Sequence, residues 1–256
     1  MSCGALVWEQ VRQGQQVSIW TLCAGDAPAG PLSPFASELH ARWQTGAEAG
    51  AARRSEDSEA CQHLGASYRH LPLRDCIYRR QGEPFPTPGA SPPEPPLEPG
   101  EFLYATRDAI FGPLHPAETP LVSQLGAFLA SQIPAQAQVV CPLAIGGHVD
   151  HRLTVAAAQS LAQPVWFYAD YPYIASQPEE IAKLEDAGWQ RHTWDISAPA
   201  QAAWEAAVAA HRSQISTFWP DHASLQAALQ AHRQFLGGAA LWYPQPGGIQ
   251  PPELDS

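Results

Sequence analysis

Two histidines and a carboxylate stand within four residues at His148-Val149-Asp150-His151, directly after Gly146-Gly147. Imidazole and carboxylate are donors that Zn²⁺ and related divalent ions favour, and imidazole moves protons near neutral pH. An apolar run over 139–145 leads into this turn, and a helical pattern over 152–161 follows it. The stretch reads as strand, glycine turn and helix start. Open α/β sheets carry their chemistry there, at the carboxyl end of a strand. A second reading of the same residues is a polar turn whose His and Asp side chains cap the helix.

The elements that must position this turn alternate along the chain. Residues 3–13 pattern as a helix closed by Gly14. Residues 17–23 read as a buried strand and 67–73 as another, with helical material over 35–64 between them. Apolar positions at helical spacing fill 121–133, and a further strand spans 164–168. It ends in Ala169-Asp170-Tyr171-Pro172-Tyr173. From Pro178 onward the pattern is mostly helical. The alternation predicts an α/β fold, a Rossmann-like parallel sheet with helices on both faces, in a single domain over 1–256. Doubly wound sheets normally open on a central strand, whereas this chain opens in a helix. The first strand is therefore expected to be missing, with a gap beside the strands that would flank it. Residues 81–100 hold eight prolines in twenty; such a segment is neither helix nor central strand, so it reads as a surface loop, or a lid if it lies near a site.

Composition narrows the function classes. A net charge of −11 without a basic stripe argues against nucleic-acid binding. The five cysteines, Cys3, Cys23, Cys61, Cys76 and Cys141, are odd in number and widely spaced. They read as reduced thiols rather than a disulfide framework. No basic-then-apolar leader is present, and no apolar run approaches the roughly 20 residues of a membrane helix. A cytoplasmic protein without a membrane span is expected. The sequence contains no G-x-G-x-x-G, which weighs against a nucleotide-sugar transferase on a similar fold.

Several pieces, in order, resemble the PIG-L/LmbE-like de-N-acetylase family. They are Ser2-Cys3-Gly4 with the helix that follows, Val17 to Gly25, and Arg53-Arg54-Ser55-Glu56 as an R-x-x-E helix. Next come Asp75 with Ile77-Tyr78-Arg79 as the D-x-x-Y-R element of one bacterial branch, and Gly147-His148-Val149-Asp150-His151 as the family's second motif. Tyr168 to Tyr173 is similar to its E-D-x-P-Y strand end, and Arg212-Ser213-Gln214 to its Y-x-S-Q pattern. The family's first motif, H-x-D-D, occurs nowhere in these 256 residues.

The resemblance implies a metal-dependent hydrolase that removes an N-acetyl group from a sugar or related small molecule. It assigns His151 as a metal ligand and His148 as the acid or oxyanion stabiliser. Asp150 is expected to orient an imidazole. Arg53, Asp75, Tyr78, Arg79 and Asp170 are expected at the substrate. The cofactor implied is Zn²⁺ or another divalent metal. A catalytic zinc takes about three protein ligands, so its binding by the chain as written is doubtful and activity is expected to be impaired. The rival expectation is an inactive member of the fold that keeps a sugar-binding pocket.

Overall fold

In a computed structural model, residues 2–43, 46, 48–86 and 101–244 are described. Most of the proline-rich segment, and with it the lid reading, lies outside them. The elements run α1 (Gly4–Arg12), β1 (Ser18–Thr21), α2 (Pro34–Trp43), α3 (Ala49–Leu64), β2 (Ser67–His70), α4 (Arg107–Ile110) and α5 (Thr119–Gln132). They continue as β3 (Val139–Pro142), α6 (Val149–Ala158), β4 (Val165–Tyr168), α7 (Glu179–Asp186), β5 (Gln190–Trp194), α8 (Ala198–Ala209), α9 (Arg212–Phe218), α10 (His222–Leu236) and β6 (Ala239–Tyr243).

The fold is α/β, and its strands form two sheets. In the first, β1 and β2 run parallel, with Ser18 opposite Ser67 and Thr21 opposite His70. The second has the order β3-β4-β6-β5. Here β3 and β4 are parallel, from Val139 opposite Val165 to Pro142 opposite Tyr168, while β6 runs antiparallel to both its neighbours. Among the described residues the two sheets do not pair with each other: β1 bonds only to β2, and β3 only to β4.

The region beyond Pro178 is mostly helical, as expected, and also supplies β5 and β6. Cys141 of β3, Phe167 of β4 and Trp242 of β6 enter one core with Trp204 of α8 and Leu225 and Leu229 of α10. A second cluster joins Leu121, Leu125 and Leu129 of α5 to Leu153 and Ala157 of α6 and to Leu71 and Leu73 after β2. These two cores clamp α6 and β3, which carry the His-x-Asp-His turn between them. Among the described residues, no helix is long and apolar enough to cross a membrane.

Candidate functional site

The turn after β3 is built on backbone that only glycine adopts easily. Gly146 and Gly147 have φ of 85° and 73°. A Cβ on Gly146 would lie 2.6 Å from the Tyr173 ring, and one on Gly147 would lie 2.9 Å from the Phe111 carbonyl oxygen. Ala144 also has a positive φ, 63°, which costs strain for a residue with a Cβ. The turn delivers His148 to the N-cap of α6, where Nδ1 accepts the Asp150 amide at 3.2 Å. The capping reading of the sequence is thus realised by His148. A ring nitrogen that accepts an N–H carries no hydrogen, so a neutral His148 bears its hydrogen on Nε2.

His151, in the first turn of α6, is held from behind. Its Nδ1 lies 2.5 Å from Asp170 Oδ1, and Asp170 Oδ2 accepts the Ile145 amide at 3.0 Å. Asp170 is 1 % exposed. Burial alone would lower the His151 pKa, but the bond and charge of Asp170 outweigh it and raise the value above the ordinary one. The orienting bond expected of Asp150 is therefore made by Asp170. Phe111 and Tyr173 complete an aromatic wall: their rings meet His148 and His151 edge-on at 5.5 and 6.0 Å, and the two imidazoles stand 5.5 Å apart. Sequence reading did not single out Phe111, which lies far from any motif.

Asp150 turns the other way. Its Oδ1 accepts Arg79 Nη1 at 2.5 Å and its Oδ2 accepts the Cys76 amide at 3.3 Å. Arg79 also donates through Nε to Glu118 at 2.5 Å, and Tyr104 OH donates to the other Glu118 oxygen at 2.6 Å. Arg79 is 3 % and Glu118 2 % exposed, so Arg79 faces protein and anchors Asp150. Burial pushes the Asp150 pKa up, but Arg79 and His148 overcome it and hold the carboxyl below its usual range. For His148, burial dominates and lowers the pKa, against Asp150 and with the help of His151.

Arg53 and Glu56, one turn apart on α3, do not pair with each other. Arg53 donates to Asp75 at 3.0 Å and lies over the Trp43 ring at 4.1 Å. Glu56 is buried and accepts from the Ser213 amide at 2.8 Å and its hydroxyl at 2.7 Å. The motif pieces over 53–56 and 212–214 thus meet in space. Asp75 caps the turn that carries Tyr78, and the Tyr78 hydroxyl bonds His40. Burial, with Asp75 assisting, pushes the Tyr78 pKa up to about 12.

Arg53, Asp75 and Tyr78 line a cavity of about 230 Å³ together with Arg54, Asp57 and His70. Asp57 accepts from Thr21 at 2.9 Å and contacts His70 Nε2 at 2.7 Å. This Asp57–His70 pair was not foreseen. The signal available was that Thr21 and His70 lie within predicted strands at their carboxyl halves.

Among the described residues, one group of three donors stands close enough to share a metal: Cys76 Sγ, a His148 nitrogen and an Asp150 oxygen, mutually within 4.8 Å. His151 is not in that group. The residues present therefore do not assemble the three-ligand zinc site that the resemblance leads one to expect around His151.

The family model of GlcNAc-PI de-N-acetylases (PIG-L) matches residues 1–162. The structure is similar to the zinc-inhibited form of teicoplanin deacetylase Orf2, with a TM-score of 0.71 and 24% identity over 94% of this chain and 91% of that one. It is also similar to the A40926 pseudoaglycone deacetylase Dbv21, with a TM-score of 0.65 and 26% identity over 94% and 90%. A more distant likeness is the conserved protein TT1542 from Thermus thermophilus, with a TM-score of 0.51 and 16% identity over 100% and 93%. No curated protein sequence matches the chain.

Proposed function

The chain belongs to the PIG-L family of GlcNAc-PI de-N-acetylases, and from that premise we propose that it is an amide hydrolase. Its substrate in this reading is an N-acetylated amino sugar or a related small molecule. The family model, described for GlcNAc-PI de-N-acetylases, supports an acylated amino sugar, and the likeness to the teicoplanin and A40926 pseudoaglycone deacetylases supports deacetylation. The observation that carries the reading is the paired imidazoles at the carboxyl end of β3, each fixed by a separate partner.

The two imidazoles divide the work by environment. His148 stays neutral through burial and carries its hydrogen on Nε2. It donates that hydrogen bond to the oxyanion that forms as water adds to the amide carbonyl, and the proton given up by the attacking water ends on the leaving amine. His151, backed by Asp170, is the imidazole with raised basicity and, among the described residues, the ligand assigned to a catalytic metal at this point. Zinc, when bound at such sites, supplies carbonyl polarisation and an acidic water. Arg79 keeps Asp150 ionised and the α6 N-terminus fixed. Arg53, Asp75 and Tyr78 face the cavity and take the sugar hydroxyls. We place the protein in the cytoplasm, in line with five free thiols.

One ligand holds zinc weakly, so these 256 residues turn over slowly and need zinc in excess. The same shortage of ligands supports a second reading, in which the fold binds the sugar without cleaving it. Calorimetric binding of N-acetylglucosamine conjugates, run beside an assay for free amine, separates the two. Amine release with added zinc supports hydrolysis; saturable binding with no amine supports the binding module; neither result leaves either reading standing.

A further inference from the structure

The donors that the fold does bring together are a thiol, an imidazole and a carboxylate. We infer that Cys76, His148 and Asp150 form a site for a thiophilic divalent ion of the Zn²⁺ or Cd²⁺ class, separate from His151. Their ligand atoms lie within 4.8 Å of one another before any ion draws them in. A mixed sulfur, nitrogen and oxygen set suits borderline-soft d¹⁰ ions and not Mg²⁺ or Ca²⁺.

The charges agree with this. Arg79 is one cation between two carboxylates, the buried Glu118 and the partly buried Asp150, and it leaves one negative charge over. Arg53 and Asp75 cancel each other. Binding releases the Cys76 thiol proton to solvent as the sulfur–metal bond forms, so a dication and one thiolate add a single positive charge. That charge neutralises the surplus. Asp150 is already aimed at Cys76, since it accepts the Cys76 amide at 3.3 Å. Cys76 Sγ now donates to Asp75 at 3.4 Å, a weak bond to exchange for a metal.

An ion held through His148 Nε2 would displace the hydrogen that this nitrogen offers to substrate. That consequence rests on the proposed role of His148; the site itself does not.

The test is a titration of the purified full chain with Cd²⁺, followed by the ultraviolet thiolate-to-cadmium charge-transfer band and by ¹¹³Cd NMR. The expected result is a one-to-one band that is lost in Cys76→Ser and kept in His151→Ala. A band unchanged in Cys76→Ser overturns the site. The ¹¹³Cd resonance of the unaltered chain decides independently of folding in the variant. A shift for one sulfur with nitrogen and oxygen ligands supports the site, and a shift for oxygen and nitrogen alone, or for several sulfurs, overturns it. Turnover inhibited at the same half-saturation as the band supports the consequence. A band without inhibition overturns the role of His148 and leaves the site intact.

Discussion

Replacing Arg79 by methionine tests whether one buried cation holds the site together. Arg79 joins Glu118 and Asp150, each at 2.5 Å, and is 3 % exposed. Breaking a buried ion pair by removing one partner costs about 3–5 kcal/mol. Tyr104 still donates to Glu118, so the cost stays in that range rather than doubling. In a chain of this size each kcal/mol moves Tm by about 2–4 °C, which gives a fall of roughly 6–20 °C near neutral pH. The sign of the pH dependence also follows. In the unaltered protein Asp150 has a lowered pKa. The stability it contributes is present above its unfolded value and lost as pH falls through the lowered one. In Arg79→Met, burial pushes Asp150 up with only His148 and the Cys76 amide left to oppose it, so the folded variant takes up a proton more readily. Its deficit should be greatest near about pH 8 and shrink toward about pH 5. Calorimetric melts across that interval read both effects, and adding Glu118→Gln should recover part of the loss. A variant within about 2 °C of the unaltered protein, or a deficit independent of pH, would refute the reasoning.

Three further outcomes follow from other contacts. In Asp170→Asn the His151 imidazole loses the carboxylate that raises its pKa, so its NMR titration midpoint should move to lower pH. The stability that the raised His151 contributes is present below its unfolded value and disappears as pH rises through the folded one. In Ser213→Ala the buried Glu56 loses its hydroxyl donor, which should cost about 1–3 kcal/mol in denaturant unfolding. Gly146→Ala forces a Cβ into a φ of 85° and to 2.6 Å from the Tyr173 ring. The backbone alone costs about 1–3 kcal/mol, so the melting temperature should fall clearly.

The centre of the fold was legible because its signals are local. An apolar run, two glycines and a helical pattern mark β3, the turn and α6 without reference to anything distant. β5 was not legible, since Gln190-Arg191-His192-Thr193-Trp194 is polar and mostly exposed. β6, Ala239 to Tyr243, is a short apolar run that fits a helix or a strand equally well until its partners are known. At the site, residue types were legible but directions were not. Arg79 meets Asp150 across 71 positions and Glu118 across 39. Whether an arginine in a turn faces substrate or a buried carboxylate depends on such long-range contacts, which spacing does not encode. The same holds for Asp170, which packs behind His151, and for Glu56, which reaches Ser213 instead of Arg53.

The most direct measurement is stoichiometric release of acetate and free amine from an N-acetylglucosamine conjugate. It is made on the unaltered protein and on His148→Ala, each at the zinc concentration that gives its highest rate. The account predicts slow release of both products in equal amounts, reduced about 10²- to 10³-fold in the variant. Products in unequal amounts, or an equal rate in His148→Ala, would contradict it.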